Sequence, residues 1–238
     1  MIVTFPVAIK TAMILAAGRG ERMRPLTDEV PKPLLKINDR PLIEYHILAL
    51  EKSGFSRIVI NHAWLGQQIV DYLGDGQRFG VQIIYSPEAT ALETAGGIIN
   101  ALPVLCPDGV NPTFAVVNAD IFCDYDYTKL PTHLGNDLAH LVLVNNPPHN
   151  PAGDFAIESG RLGQQSEPRF TFSGIGLYHR DLFTGRQAGS LRLAVVLRDA
   201  ITRDRVRGEV YAGQWIDIGT PERLAQLNTM ERIAHYDR

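Results

Sequence analysis

Between Gly18 and Lys32 the chain places two glycines, three arginines and a lysine, directly after the apolar run AMILAA. A glycine-rich turn leaves backbone N–H groups uncovered, and guanidinium groups add charge-assisted hydrogen bonds, so this composition suits a bound phosphate. Gly18 and Gly20 would let the backbone approach such a group closely. Arg22 is the foremost side-chain donor, with Arg19 and Arg24 beside it. Lys32 lies in PKPL, between two prolines that restrict its backbone. A lysine preset in this way suits a polyphosphate. The spacing is not a Walker A loop, because Gly-Lys-Ser/Thr is missing. It is not the dinucleotide fingerprint either, because Met23 stands where the third glycine belongs.

The elements that must position these residues alternate. AMILAA (12–17), RIVIN (57–61), VQIIYS (81–86) and TFAVVNAD (113–120) read as buried strands. Helical spacing covers 41–54, with Pro41 near its start and Gly54 after its end, and 64–76, stopping at Gly74. A short helix covers 94–102, with Thr94 as its N-cap. Such alternation predicts an α/β protein with a parallel sheet wound on both sides, whose ligands bind outside the carboxyl ends of the strands. The unusual residues cluster there: Gly18 to Arg24, Ser86 to Glu88 and Asn118 to Asp120. Beyond residue 139 come a strand (139–146), a loop (147–153), strands of a smaller β region (154–162 and 168–180) and a helix (192–202). Two short strands follow over 208–220 with a turn at Gly213. A closing helix over 221–236 has Pro221 first and Thr220 as its cap.

Composition bounds the function. The chain has 238 residues, 45% hydrophobic and 21% charged, with a net charge of −3. That is enough for one large core, and it offers no polycationic surface for nucleic acid. Cys106 and Cys123 form no Cys-x-x-Cys, so two buried thiols are expected rather than a disulfide framework or a zinc site. No apolar run is long enough to span a membrane. The start, MIVTFPVAIK, lacks a basic signal region. Residues 1–11 are read as an N-terminal extension and 12–238 as a single domain, cytoplasmic, with a lid-like insertion at about 146–212.

LAAGRGERMRPLT, followed by PKPLL, resembles the signature of the sugar-1-phosphate nucleotidyltransferases, the NDP-sugar pyrophosphorylases. VNAD (117–120) and WIDIGT (215–220) also fall where that family has them. The resemblance covers nearly the whole chain from residue 12. It implies a Rossmann-like, mixed and mostly parallel sheet flanked by helices, with a small β lid region. It implies attack of a sugar 1-phosphate on the α-phosphorus of a nucleoside triphosphate, with pyrophosphate leaving in line. Likeness to the short bacterial members, in INHAWLGQQI, YSPE and FTFSGI, points to UTP and N-acetylmuramic acid 1-phosphate. GTP with mannose 1-phosphate, or thymidylyl or uridylyl transfer to glucose 1-phosphate, is the runner-up. A silent sugar-nucleotide-binding regulator is the reading from another class.

The resemblance also assigns roles. Arg22 and Lys32 would be catalytic, the first against the leaving pyrophosphate and the second near the α-phosphate or sugar phosphate. Ala17, Gly18, Gly20, Glu21, Arg22, Lys32, Pro87, Thr94 and Ala95 would contact the nucleotide, Glu21 through its backbone. Asp120 and Asp217 would hold Mg²⁺. Asn118, Asp154, Ser173 and Glu93 would contact the sugar phosphate. Many relatives have Gly-Thr where this chain has Glu93-Thr94, so Glu93 either bonds a ribose or sugar hydroxyl or caps the helix. Gly96 and Gly97 either admit the nucleotide or loosen helix packing. His46 and His179 are read as core or surface histidines, His62 and Trp64 as turn-shaping residues, and Asp124 and Asp126 as loop carboxylates. No nucleic-acid or membrane partner is expected. A monomer or weak homodimer is.

Overall fold

A computed structural model of the chain describes residues 9–107, 111–164 and 167–229. In chain order the first elements are β1 (Thr11–Leu15), α1 (Leu26–Glu29), β2 (Lys36–Ile37), β3 (Arg40–Pro41), α2 (Leu42–Lys52), β4 (Arg57–His62), α3 (Gly66–Leu73), β5 (Gln82–Pro87) and α4 (Glu93–Leu105). There follow β6 (Thr113–Asn118), β7 (Ile121–Cys123), β8 (Ala139–Val144), β9 (Phe155–Glu158), β10 (Arg161–Gly163), β11 (Arg169–His179), α5 (Leu193–Thr202), β12 (Val206–Tyr211), β13 (Trp215–Asp217) and α6 (Pro221–Asn228).

Nine strands form one mixed sheet in the order β5-β4-β1-β6-β11-β8-β12-β10-β9. The pairs β5–β4, β4–β1 and β1–β6 are parallel, and β11 runs antiparallel to both β6 and β8. The strands expected of a smaller β region therefore extend the same sheet. The two short strands near 208–220 do not pair with each other: β12 joins β8, and β13 pairs with β7 in a separate two-stranded ladder.

Parallel strands covered on both faces read as continuous apolar runs. Along β1 successive side chains enter opposite layers, as the pleat requires. Ala12 and Ile14 join a core with Ile43, Ile47, Leu50, Ile69 and Leu73 of α2 and α3. Met13 joins the other, with Ile98 and Ala101 of α4 and Leu193, Val196 and Leu197 of α5. A third, smaller cluster gathers Met23, Leu42, Tyr45, Phe122, Ile218, Leu224 and Leu227. It ties the glycine loop to α2, β7 and α6. Among the described residues no helix is long and apolar enough to cross a membrane.

Several ends match the sequence. Gly74 ends α3, Pro221 opens α6, and the Thr220 hydroxyl accepts from Arg223 N–H. The expected Thr94 cap is not formed. The N-cap of α4 is Leu92, which has no side-chain cap bond, and Thr94 lies inside the first turn. The Leu191 carbonyl accepts from Ala95 and Gly96 N–H and closes that end. The closing helix runs to Asn228, and its expected continuation from 230 lies outside the described residues, as do residues 1–8 of the extension.

Candidate active site

The loop after β1 is built around Gly20, whose φ of 72° is left-handed. A Cβ there would also come within 3.0 Å of the Thr27 methyl. The Thr27 hydroxyl donates to the Gly20 carbonyl at 2.9 Å. Two of the three arginines hold this loop together. Arg19 donates to the Thr27 carbonyl and to Asp28 Oδ1, each at 2.8 Å, and its guanidinium lies 3.9 Å from the centre of the Trp64 ring. Arg24 bonds Asp28 Oδ1 at 2.8 Å. The Arg19 hydrogen bond, with help from Arg24, holds the Asp28 carboxyl below the usual range. Trp64 is thus a loop clamp as well as a turn residue, its indole N–H bonding the Thr27 carbonyl at 3.0 Å. Arg22 alone makes no ion pair or side-chain hydrogen bond among the described residues. It lines a cavity of about 200 Å³ together with Gly18, Gly20, Glu21, Lys32 and Asp120.

Lys32 Nζ donates to Asp120 Oδ2 at 2.7 Å. Asp120 follows β6, and Ile218 N–H bonds its carbonyl at 2.9 Å. Asp217 stands opposite Ile121 in the β13–β7 ladder. The two carboxylates therefore come from neighbouring backbone segments although they are far apart in sequence. Asp217 Oδ2 accepts from Arg223 Nη1 at 2.7 Å and lies 3.2 Å from His149 Nε2. A Cβ at Gly219 would lie 3.1 Å from Asp217 Oδ2, 3.2 Å from Arg22 Nη2 and 3.1 Å from Arg223 Nη1. Glycine at that position lets the three groups converge. Behind them, His46 is buried, hydrogen-bonded to the Ile121 backbone, and its pKa is pushed down to about 4 by burial.

Each carboxylate thus holds one of the chain's own cations where a metal ion would compete. Two hard oxygen donors on adjoining segments suit Mg²⁺, which takes one or two carboxylates and completes its shell with water and phosphate oxygens. Among the described residues no group of three or more His, Cys, Asp and Glu side chains could form an all-protein cage.

The main cavity, about 380 Å³, opens beside this pair at the carboxyl ends of the parallel strands. Ala17, Gly18, Lys32, Asn118, Asp120, Glu93 and Thr94 line it, with Asn61 and Glu88. A buried relay stiffens its floor. Asn61 Oδ1 accepts from Ala16 N–H at 2.8 Å, and its amide donates to Glu88 Oε1 at 2.7 Å. Glu88 Oε2 in turn accepts from Leu92 N–H at 2.9 Å. Gly96 and Gly97 are closely packed and do not loosen the helix. A Cβ on Gly97 would lie 2.6 Å from Glu88 Oε1, and one on Gly96 would lie 1.9 Å from the Gly189 carbonyl oxygen. Glu93 makes no cap bond. It has a left-handed φ of 60°, and Arg192 Nε lies 3.9 Å from its carboxylate.

Four expected contacts fall elsewhere. Ser173 is fully buried at an irregularity in β11, with its hydroxyl donating to the Val142 carbonyl at 2.6 Å and accepting from Ile175 N–H. Asp154 Oδ2 accepts from Phe172 N–H at 2.8 Å and lines a separate cavity of about 310 Å³. Pro87 is exposed and Ala95 is buried, and it is their neighbours Glu88 and Thr94 that line the main cavity. Asn61, His149 and Arg223 escaped sequence reasoning. A polar residue ending an apolar strand could have marked Asn61, but nothing local marks His149. Asp124 and Asp126 serve loops: the first accepts from Gln214 N–H and the Tyr211 hydroxyl, the second from Thr128 N–H. His179 accepts from Asp181 N–H. Cys106 and Cys123 are buried thiols, and burial pushes them up to about 11 and about 12.

Residues 11–157 match the model of the nucleotidyl transferase family. The chain belongs to that family. It is 52% identical over 231 residues to the N-acetylmuramate alpha-1-phosphate uridylyltransferase of Neisseria meningitidis serogroup B, covering 92% of this chain and 97% of the relative. A UTP–glucose-1-phosphate uridylyltransferase from Synechocystis is 41% identical over 49% of the chain, which spans 32% of that longer protein. Among solved structures, a candidate glucose-1-phosphate thymidylyltransferase from Bacillus anthracis superposes with a TM-score of 0.81 over 93% of this chain and 95% of that one, at 23% identity. The inositol-1-phosphate CTP transferase from T. maritima does so with a TM-score of 0.73 over 94% and 98%, at 18% identity. These two share the fold.

Proposed function

We propose that the chain transfers the uridylyl group of UTP to N-acetylmuramic acid 1-phosphate, giving UDP-MurNAc and pyrophosphate. What carries this reading is the 52% identity, along nearly the full length of both chains, to a protein of that activity. A cytoplasmic role in peptidoglycan recycling goes with it. The clustering of Arg22, Lys32, Asp120 and Gly219 around one cavity next to Asp217 supports the chemistry.

A sugar phosphate oxygen forms a bond to the α-phosphorus of UTP, and the bond from that phosphorus to the β-phosphate oxygen breaks. The nucleophile is largely ionised at neutral pH, since the second pKa of a phosphate monoester is about 6, so no side chain need take a proton. The protein's work is positioning and charge neutralisation. The loop backbone at Gly18 to Glu21 receives the phosphates. Arg22, with no ion pair or side-chain hydrogen bond among the described residues, meets the departing pyrophosphate. Lys32 neutralises charge at the α-phosphate, and Asn118 and Glu93 offer polar contacts to the acceptor. Asp120 and Asp217 would hold Mg²⁺, which, when bound, offsets the repulsion between the two phosphates.

The test is pyrophosphate release with UTP, GTP, dTTP and CTP against MurNAc 1-phosphate, GlcNAc 1-phosphate, glucose 1-phosphate and mannose 1-phosphate. Turnover concentrated on UTP with MurNAc 1-phosphate is expected. Preference for GTP with mannose 1-phosphate would overturn the substrate reading, and no pyrophosphate from any pair would overturn the enzyme reading.

A further inference from the structure

The main cavity has an electrostatic problem if its acceptor is an acid sugar. Its lining carries the carboxylates of Glu88, Glu93 and Asp120 against one cation, Lys32, which is already bonded to Asp120. MurNAc 1-phosphate differs from GlcNAc 1-phosphate by a lactyl ether ending in a carboxylate. A carboxylate entering an acidic cleft is repelled unless a cation meets it at the rim.

A cation, Arg192, stands next to Glu93 of that lining. Leu92 to Gly96 and Gly189 to Arg192, distant in sequence, are zipped into one wall. Leu191 N–H bonds the Leu92 carbonyl at 3.1 Å, and the Leu191 carbonyl accepts from Ala95 N–H at 2.9 Å and Gly96 N–H at 3.2 Å. Ser190 and Glu93 of this wall both line the cavity. Arg192 Nε lies 3.9 Å from Glu93 Oε1, with the two side chains 78% and 47% exposed. So loose and exposed an ion pair contributes little to stability and is readily exchanged for another carboxylate. Glu93 keeps this place at the expense of a left-handed backbone, φ 60°, where glycine would be unstrained. Other cations are engaged or differently placed. Arg22 lines the smaller cavity, and Arg198, with no ion pair among the described residues, lines the separate cavity of Asp154.

We propose that Arg192, resting on Glu93 at the cleft rim, is the residue that recognises the carboxylate of the acceptor sugar. Glu93 holds its place until the acceptor's own carboxylate takes over. This rests on the substrate reading above. The test compares kcat/KM for MurNAc 1-phosphate and GlcNAc 1-phosphate, with saturating UTP, in the wild type, Arg192→Ala, Arg192→Lys and Arg198→Ala. The account expects the MurNAc-to-GlcNAc ratio to fall by about tenfold or more in R192A, through KM for MurNAc 1-phosphate, as for a lost charge-assisted hydrogen bond. R192K recovers part of it, and R198A keeps the wild-type ratio. A wild-type preference that survives R192A, an equal loss on both acceptors, or a ratio that moves in R198A instead would each overturn the proposal alone. A wild-type enzyme that uses neither amino sugar would overturn the substrate reading, and this inference with it.

Discussion

At the residue scale, Lys32 and Arg22 make different demands. Lys32 is bonded to Asp120, whereas Arg22 has no partner among the described residues. Lys32→Ala is expected to lower kcat by about a hundredfold, equivalent to about 3 kcal/mol of transition-state stabilisation, in steady-state pyrophosphate release. Near-normal turnover would remove it from the chemistry. Arg22→Ala is expected to leave thermal stability unchanged while slowing the reverse reaction with added pyrophosphate. His46 supplies a pH test. Its folded pKa is about 4 against an ordinary 6.5, so between those values the unfolded chain binds a proton that the folded chain does not. Stability is present above about pH 6.5 and falls as pH drops through this window, by about 2 kcal/mol between pH 7 and pH 5. Urea unfolding at the two pH values checks this, and His46→Leu is expected to flatten the slope. Gly20, Arg22 and Lys32 stood out in the sequence by type and spacing, and the resemblance added Asp120 and Asp217; the structure gathers Gly20, Arg22, Lys32 and Asp120 around one cavity, with Asp217 beside Gly219 of its lining. The structural work of Arg19 and Arg24 was not legible, because it rests on their shared tie to Asp28 in the folded loop.

At the element scale, the wall at the start of α4 trades backbone ease for a carboxylate in the cleft. Glu93→Gly is expected to raise the melting temperature slightly, by relief of a left-handed residue worth about 1 kcal/mol, while lowering kcat/KM for the acceptor. A loss of both stability and activity would deny the trade. Gly96→Ala drives a methyl onto the Gly189 carbonyl and is expected to destabilise the fold in a melting experiment. The parallel strands of the amino-terminal half followed from the alternation of apolar runs and helical spacing. The place of β11 did not, since a strand inserted antiparallel between β6 and β8 has no local signature. Ser173, which the resemblance put at the sugar phosphate, sits at a register shift between Phe172 and Ile175, where its hydroxyl is taken up by backbone groups, and no local pattern marks such a shift. Asp154, likewise, is engaged by the backbone of that strand.

At the scale of the whole molecule, one sheet between two helical layers brings four strand ends, the glycine loop and the β7–β13 ladder to one edge. The third apolar cluster locks loop and ladder together through Met23, Phe122 and Ile218. The fold does not need metal to hold this edge, because Lys32, Arg223 and His149 already face the two carboxylates. Chelation is therefore expected to stop turnover and leave the ligand-free melting temperature unchanged. In the mechanism proposed above, Asp120 and Asp217 act together at that edge to promote uridylyl transfer. The most direct measurement is the single-turnover rate of UDP-sugar formation from UTP in Asp217→Asn beside the wild type, with melting temperatures recorded for both. The account predicts a fall of about a hundredfold or more with the fold intact. A rate within about threefold of wild type, a difference of well under 1 kcal/mol, would contradict it.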